Sequence, residues 1–164
     1  MTTTITKQPI TCITPDMTRL FDDILGPGRF VRSAYRIREQ AGGDKSFGFN
    51  AYDEGLLVGT VSLTPLLIGG KPGACLLGPL AVIKDYRGNK LGLELMDDGI
   101  KEAVKRGYSL TILVGDLPYY QRAGFKPVPL GHLTMPGPVD PGRLLAFEME
   151  EGALAKLTGM VTGL

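Results

Sequence analysis

Cysteine and histidine are scarce in this chain: 164 residues carry two of the first and one of the second. Cys12 and Cys75 allow at most one bridge, and neither stands at metal-ligand spacing. A disulfide framework and a cysteine–histidine metal site are therefore excluded, and no metal is expected. Both cysteines lie in apolar, strand-like runs and read as buried, reduced thiols. An excess of one charge is also missing. Eighteen basic and 17 acidic residues leave +1, which gives no field for nucleic acid or an anionic membrane. No apolar run approaches the roughly 18 residues of a membrane span. The opening MTTTITKQP lacks the core of a signal peptide. The expectations are a cytoplasmic protein with neither nucleic acid nor membrane as partner. Two phosphate-loop patterns are absent as well: G-x-x-x-x-G-K-[ST] and G-x-G-x-x-G.

What remains, 43% hydrophobic and 21% charged residues, describes a globular chain of ordinary composition. Its length points to one domain over 1–164, burying about two thirds of the unfolded surface. Neither a repeat nor a linker interrupts it, and residues 1–7, Thr-rich, read as loose.

The most informative stretch begins at Leu76–Ile83, an apolar run that predicts a buried strand. Tyr86-Arg87-Gly88-Asn89-Lys90-Leu91-Gly92 follows. Then Leu91, Leu95, Met96, Gly99, Ile100, Ala103 and Val104 recur at helical spacing, with acids and bases between them and Gly107 as the stop. A short loop thus joins a strand to a helix N-terminus, whose unpaired N–H groups and dipole favour an anion, phosphate above all. Leu110–Val114 predicts the next strand. Asp116-Leu117-Pro118 opens a short helix, and Tyr120-Gln121-Arg122-Ala123-Gly124-Phe125 completes the unit.

Around this unit the chain predicts further elements. Ile10–Ile13 reads as a first strand. Thr14-Pro15-Asp16 starts a helix to about Leu25, with Met17, Leu20, Phe21, Ile24 and Leu25 on one face. Arg29–Gln40 restarts helical periodicity and carries Arg29, Arg32, Arg36 and Arg38, either a solvated face or a cationic wall beside a pocket. Phe47–Tyr52 and Leu56–Leu67 read as strands joined at Asp53-Glu54-Gly55, and Gly69–Gly73 turns into the strand before the loop. Lys126–Leu130 and Leu144–Met149 complete the strands, with an irregular segment over 131–142 between them. One helical turn near Ala153–Leu157 is the only feature read in the tail. A strand–helix–strand crossover requires a parallel pair in an otherwise antiparallel sheet.

The loop Arg87–Gly92 and the run Tyr120–Phe125 together resemble the two signatures of the GNAT family of acetyl-CoA-dependent N-acetyltransferases. The first is written [RQ]-x-x-G-x-[GA]: Arg87 and Gly92 match its ends, and Lys90 stands where glycine is usual. The second is a tyrosine four residues before Gly-Phe. The likeness is sharp over 77–125. It implies an α/β (α+β) fold with a mixed, mostly antiparallel central sheet, one parallel strand pair and helices on both faces. It also implies acetyl-CoA as cosubstrate and acetyl transfer to a primary amine, on a small molecule or a protein, by direct attack in a ternary complex. In that reading Arg87, Gly88, Asn89, Lys90, Leu91 and Gly92 hold the pyrophosphate, while Leu80, Ala81 and Val82 pair with the pantetheine arm. The Val82 amide donates to the thioester oxygen, and Tyr120 protonates the leaving thiolate. Arg29 and His132 would border the acceptor. A general base is not evident, because Leu76–Ile83 carries no acid; Glu54, Asp116 and His132 are the candidates elsewhere. The alternative function is a non-catalytic acyl-CoA-binding module. An acyl-enzyme route through Cys75 lacks a His–acid pair. The resemblance allows a monomer or a homodimer.

Overall fold

Thr14 opens the first helix as its side-chain chemistry dictates: its hydroxyl accepts from the Met17 N–H, and Pro15 takes the first helical position. Helix α1 (Pro15–Leu25) buries Met17, Leu20 and Phe21. The computed structural model describes residues 5–26, 33–42, 45–88 and 90–164. Within them the chain continues as α2 (Ser33–Ala41), α3 (Leu91–Lys105), and the single turns α4 (Leu117–Tyr120) and α5 (Ala153–Lys156).

The strands are β1 (Ile5–Ile10), β2 (Phe47–Asp53), β3 (Leu56–Ile68), β4 (Lys71–Val82), β5 (Leu110–Val114), β6 (Lys126–Pro127), β7 (Leu133–Thr134), β8 (Leu144–Glu148) and β9 (Gly159–Gly163). They form one mixed sheet in the order β1-β2-β3-β4-β5-β8-β6, with β9 on the far end of β3. The β1–β4 ladders and the β8 ladders are antiparallel, and β4–β5 is the expected parallel pair. A second, two-residue parallel contact joins β7 to β9. The β2–β3 turn holds Glu54 at φ 49 and Gly55 at φ 83, the positive pair that suits a two-residue hairpin.

Helices α1 and α2 cover one face of the sheet, and α3 covers the other. Leu91, Leu95, Met96, Ile100 and Ala103 of α3 meet Phe47, Val61, Leu63, Cys75 and Leu77. On the opposite face Ile37 of α2 joins Leu66, Ile68, Leu76 and Ile112, while Met17, Leu20 and Phe21 cluster on Ala81.

Four expectations need correction. Ile5–Lys7 are not loose but pair with Ala51–Asp53 in β1; an edge strand wet on both sides needs no apolar alternation, so its sequence looked featureless. Thr11 and Cys12, assigned to that strand, form the bend after it, and Cys12 is exposed rather than buried. Strand β9, flanked by glycines, adds Val161–Gly163 to Leu66–Ile68 where only a helical turn was expected. The segment read as irregular holds β7.

Candidate active site

Strands β4 and β5 share only three paired positions, Ala74–Leu110 to Leu76–Ile112. Beyond Leu76 the two diverge, and β4 runs on to Val82 with β3 on one side alone. A bulge lies at the divergence. Register runs Leu63–Leu77, then Val61–Leu80, so Gly78 and Pro79 oppose the single residue Ser62. The Gly78 carbonyl there accepts from Arg38 Nε at 2.8 Å and from Ser62 Oγ at 3.1 Å. A side chain at residue 78 would be strained by its φ of 123 and would push aside the Arg38 guanidinium, 2.7 Å from a Cβ there.

Past the bulge, the Ile83 N–H donates to Val58 O at 2.9 Å. Alternation along a strand then turns Ala81 toward β3 and leaves the N–H groups of Leu80 and Val82 aimed at the open side. The Val82 carbonyl on that side accepts from Arg87 Nε at 3.0 Å, which folds Arg87 back across the strand end. Lys90 caps α3 in the left-handed conformation, φ 61 and ψ 14, with no side-chain bond to the helix. That geometry explains why the family pattern has glycine here. Among the described residues the first helical bond is Glu94 N–H to Lys90 O, 3.0 Å, which places Leu91, Gly92 and Leu93 in the first turn, where N–H groups lack helical partners.

Two clefts meet at the divergence. One, of about 370 Å³, is lined by Leu80, Ala81, Val82, Arg87, Gly88, Lys90, Leu91 and Gly92 of the predicted set, with Tyr119, Tyr120 and Arg122 opposite. The other, of about 310 Å³, lies between β4, α2 and the segment before β8, and carries Tyr35, Arg38, Asp140 and Arg143. Leu80 and Tyr120 line both. Two glycines seat the tyrosines. A Cβ at Gly115 would stand 2.3 Å from Tyr120 Cε2, and one at Gly92 would stand 2.5 Å from Tyr119 Oη. The two rings meet edge to face at 5.0 Å, and Phe125 packs on Tyr120 at 6.0 Å. Burial pushes the Tyr120 phenol up to about 12; Tyr119 and Asp116 add to the rise, and Arg143 and Arg38 oppose it. Burial raises Tyr119 also. Cys75, pushed up to about 12 by burial, is a packed thiol away from both clefts.

The remaining expected residues separate. His132 stands off the clefts: its Nε2 lies 2.6 Å from Leu154 O and 3.1 Å from Leu157 O, and ties down the end of α5. Its Nε2 is thus committed to backbone carbonyls. Arg29, Arg32 and Asn89 lie outside the described residues. Of that arginine group Arg38 reaches a cleft, while Arg36 is exposed. Glu54 sits in the β2–β3 turn, where its neighbour Asp53 accepts from Tyr86 Oη beside the phosphate loop. Asp116 occupies the cap position of α4 without a side-chain capping bond and lies 3.5 Å from Arg143 instead. Sequence reasoning missed Asp140, Arg143 and Tyr35. The sequence showed only an irregular segment over 131–142, and nothing local tells that its end lines a cleft with β4. Asp140 is the one carboxylate lining that cleft among the described residues, and its Oδ1 accepts from Gly142 N–H at 2.9 Å.

Known proteins place this architecture. An uncharacterized N-acetyltransferase of Escherichia coli K12, YhbS, is 29% identical over 110 residues, 66% of each chain; the match thus spans just under two thirds of that relative. A second from the same strain, YjhQ, is 35% identical over 77 residues, 45% of this chain and 42% of that one. Among solved structures, GNAT family N-acetyltransferase YhbS from E. coli, in complex with CoA, superposes with TM-score 0.81 at 22% identity, over 100% of this chain and 92% of that one. A GNAT family acetyltransferase from Brucella melitensis, in complex with acetyl-CoA, gives 0.59 at 23% identity, over 90% and 97%. These two show a shared fold. The model of the acetyltransferase (GNAT) family matches residues 14–125, well over half the chain and both signatures, so the chain belongs to that family.

Proposed function

We propose that this protein transfers an acetyl group from acetyl-CoA to a primary amine, by direct attack with both substrates bound. The observation that carries this reading is the junction of the two clefts, where Leu80 and Tyr120 alone among the described residues face both sides. The phosphate-side cleft suits the cosubstrate. It offers the N–H groups of Leu91–Leu93 and their helix dipole to a pyrophosphate, and the open edge of β4 to an extended amide-bearing arm.

Bound thioester supplies an electrophilic carbonyl carbon and a thiol leaving group. The rest falls to the chain. The Leu80 N–H, at the junction, takes the thioester-oxygen role that the sequence suggested for Val82, and the Val82 N–H serves the arm one step away. One aimed donor in a dry site contributes roughly 3 kcal/mol to the transition state. As the N–C bond forms, the attacking nitrogen releases a proton to solvent, and as the C–S bond breaks, Tyr120, protonated throughout the neutral range, donates its proton to sulfur. Arg143 and Arg38 favour the resulting phenolate until water reprotonates it. Asp140 faces the side from which the amine arrives and can hold it as an ammonium until its proton passes to solvent.

Calorimetric titration with acetyl-CoA, followed by thiol release over an amine panel, tests this. The expected outcome is binding, turnover, and a 10²–10⁴-fold fall in kcat for Tyr120→Phe at nearly constant acetyl-CoA affinity. Binding with no turnover on any amine would favour the non-catalytic module, and equal losses of kcat and affinity would remove Tyr120 from its role.

A further inference from the structure

A carbonyl inside a strand ordinarily lies in the plane of the sheet and accepts from the next strand. The Gly78 carbonyl is held differently, by two side chains: Arg38 Nε at 2.8 Å and Ser62 Oγ at 3.1 Å. Ser62 is 1% exposed and stands between Val61 and Leu63, which face α3, so alternation turns its hydroxyl to the opposite face. A carbonyl oxygen carries two lone pairs, and two donors on them fix the direction in which it points.

Arg38 starts from a firmly seated helix. Ala34, Ile37 and Ala41 of α2 are buried, and Ile37 packs with Leu66 and Ile68 of β3. Strand β9 closes on the last turn of α2. Its Gly163 N–H donates to Gln40 Oε1 at 2.7 Å, and a Cβ at 163 would lie 2.6 Å from Ile37 O, Gln40 Cβ and Ala41 N. Arg38 therefore spans a fixed helix and the bulge in β4.

We propose, resting on the acetyl-transfer reading, that Arg38 and Ser62 are positioning residues: they hold the Gly78 carbonyl and so aim the Leu80 N–H at the thioester oxygen. Only Pro79 stands between that carbonyl and that N–H, and its ring fixes φ near −65°. On the far side the Ile83 N–H on Val58 O, 2.9 Å, anchors the strand again. Without the two donors the carbonyl is free to turn and carries the Leu80 amide with it. Ser62 lines neither cleft at the junction, so its loss cannot act through a substrate contact. Arg38 lines the acceptor-side cleft, and the serine is the control for that second role.

The test uses the full chain with isotope-labelled leucine, the Leu80 amide signal being assigned by its loss in Leu80→Ile. Acetyl-CoA carries the thioester carbonyl and CoA does not, so the difference between the two titrations reads the bond to that oxygen. We expect the Leu80 amide proton to move downfield with acetyl-CoA and not with CoA. In Ser62→Ala and Arg38→Met that displacement should shrink by at least half, with acetyl-CoA affinity held within about threefold. By thiol release, kcat should fall about three- to tenfold in Ser62→Ala and about ten- to a hundredfold in Arg38→Met, within the 10²–10³-fold that one aimed donor is worth. A lowered urea midpoint with the displacement and kcat unmoved in Ser62→Ala would mean a structural contact only and overturns the proposal. So does an Arg38→Met protein whose one change is a higher amine KM. A Leu80 amide that ignores acetyl-CoA in the unaltered protein overturns it as well, even if amines react. A displacement lost in both variants of a chain that turns over no amine would uphold the positioning pair and defeat the acetyl-transfer reading.

Discussion

Gly115→Ala is the sharpest probe of the role proposed for Tyr120, because it changes no group assigned to a substrate. Gly115 follows β5 directly, with its N–H on Arg143 O at 2.9 Å, and its φ lies outside the left-handed region. Alanine therefore fits the backbone. It does not fit the Tyr120 ring, whose Cε2, Cδ2 and Cζ would lie 2.3, 2.9 and 3.2 Å from the new methyl. Ordinary carbon contacts need about 3.5–4.0 Å, so the ring must retreat by more than about 1 Å. Tyr119 and Phe125 flank it and limit where it can go. A misplacement of about 1 Å costs a catalytic group on the order of 10²-fold, and overpacking costs about 1–3 kcal/mol of stability. We expect kcat to fall about 100-fold with acetyl-CoA affinity held within a few-fold. Adding Gly115→Ala to Tyr120→Phe should then cost almost nothing more, a non-additive cycle. Full activity in Gly115→Ala, or additive losses in the double variant, would refute the seating of Tyr120 by Gly115.

Two other predictions follow from local geometry. Lys90→Gly should raise the unfolding free energy by roughly 1 kcal/mol by relieving the left-handed strain, with CoA affinity within about threefold by calorimetry. A loss of tenfold or more would show the ammonium on phosphate, since charge-assisted bonds are worth about 1.5–3 kcal/mol. For Cys75, burial lifts the thiol from 9.0 to about 12. Above pH 9 the unfolded state loses this proton and the folded state keeps it, so stability falls as pH climbs from 9 toward 12. Urea midpoints across that range should fall less steeply in Cys75→Ala; an identical slope would count against the buried, protonated thiol.

Elements with a local cause were legible in the sequence. Thr14-Pro15 announced α1, the apolar stripe of 91–104 announced α3, and the run 76–83 announced the strand that leads to the loop. The phosphate-side cleft was legible for the same reason, since its residues are nearly contiguous. The acceptor side was legible only in the arginine group that includes Arg38. Tyr35 and Arg38 come from one segment and Asp140 and Arg143 from another far along the chain, and only tertiary packing brings them to Gly78 and Tyr120. The place of His132 was not legible either, because a lone histidine carries no sign of the two carbonyls it will meet. Strand β9 and the start of β1 escaped because each is short, polar and stabilised by its neighbour's register.

The bulge at Gly78–Pro79 sets a phase. Before it, odd-numbered residues of β4 (Cys75, Leu77) face α3; after it, even-numbered residues (Leu80, Val82) do. The same slip decides which amides point outward. Because two residues oppose one there, deleting Pro79 would restore regular alternation with Leu80, Ala81 and Val82 on the same faces and the same β3 partners, and would remove only the local bend. A one-residue deletion of Pro79 should therefore leave the α3 face folded, and the fall in turnover that we expect would measure what the bend at the junction contributes.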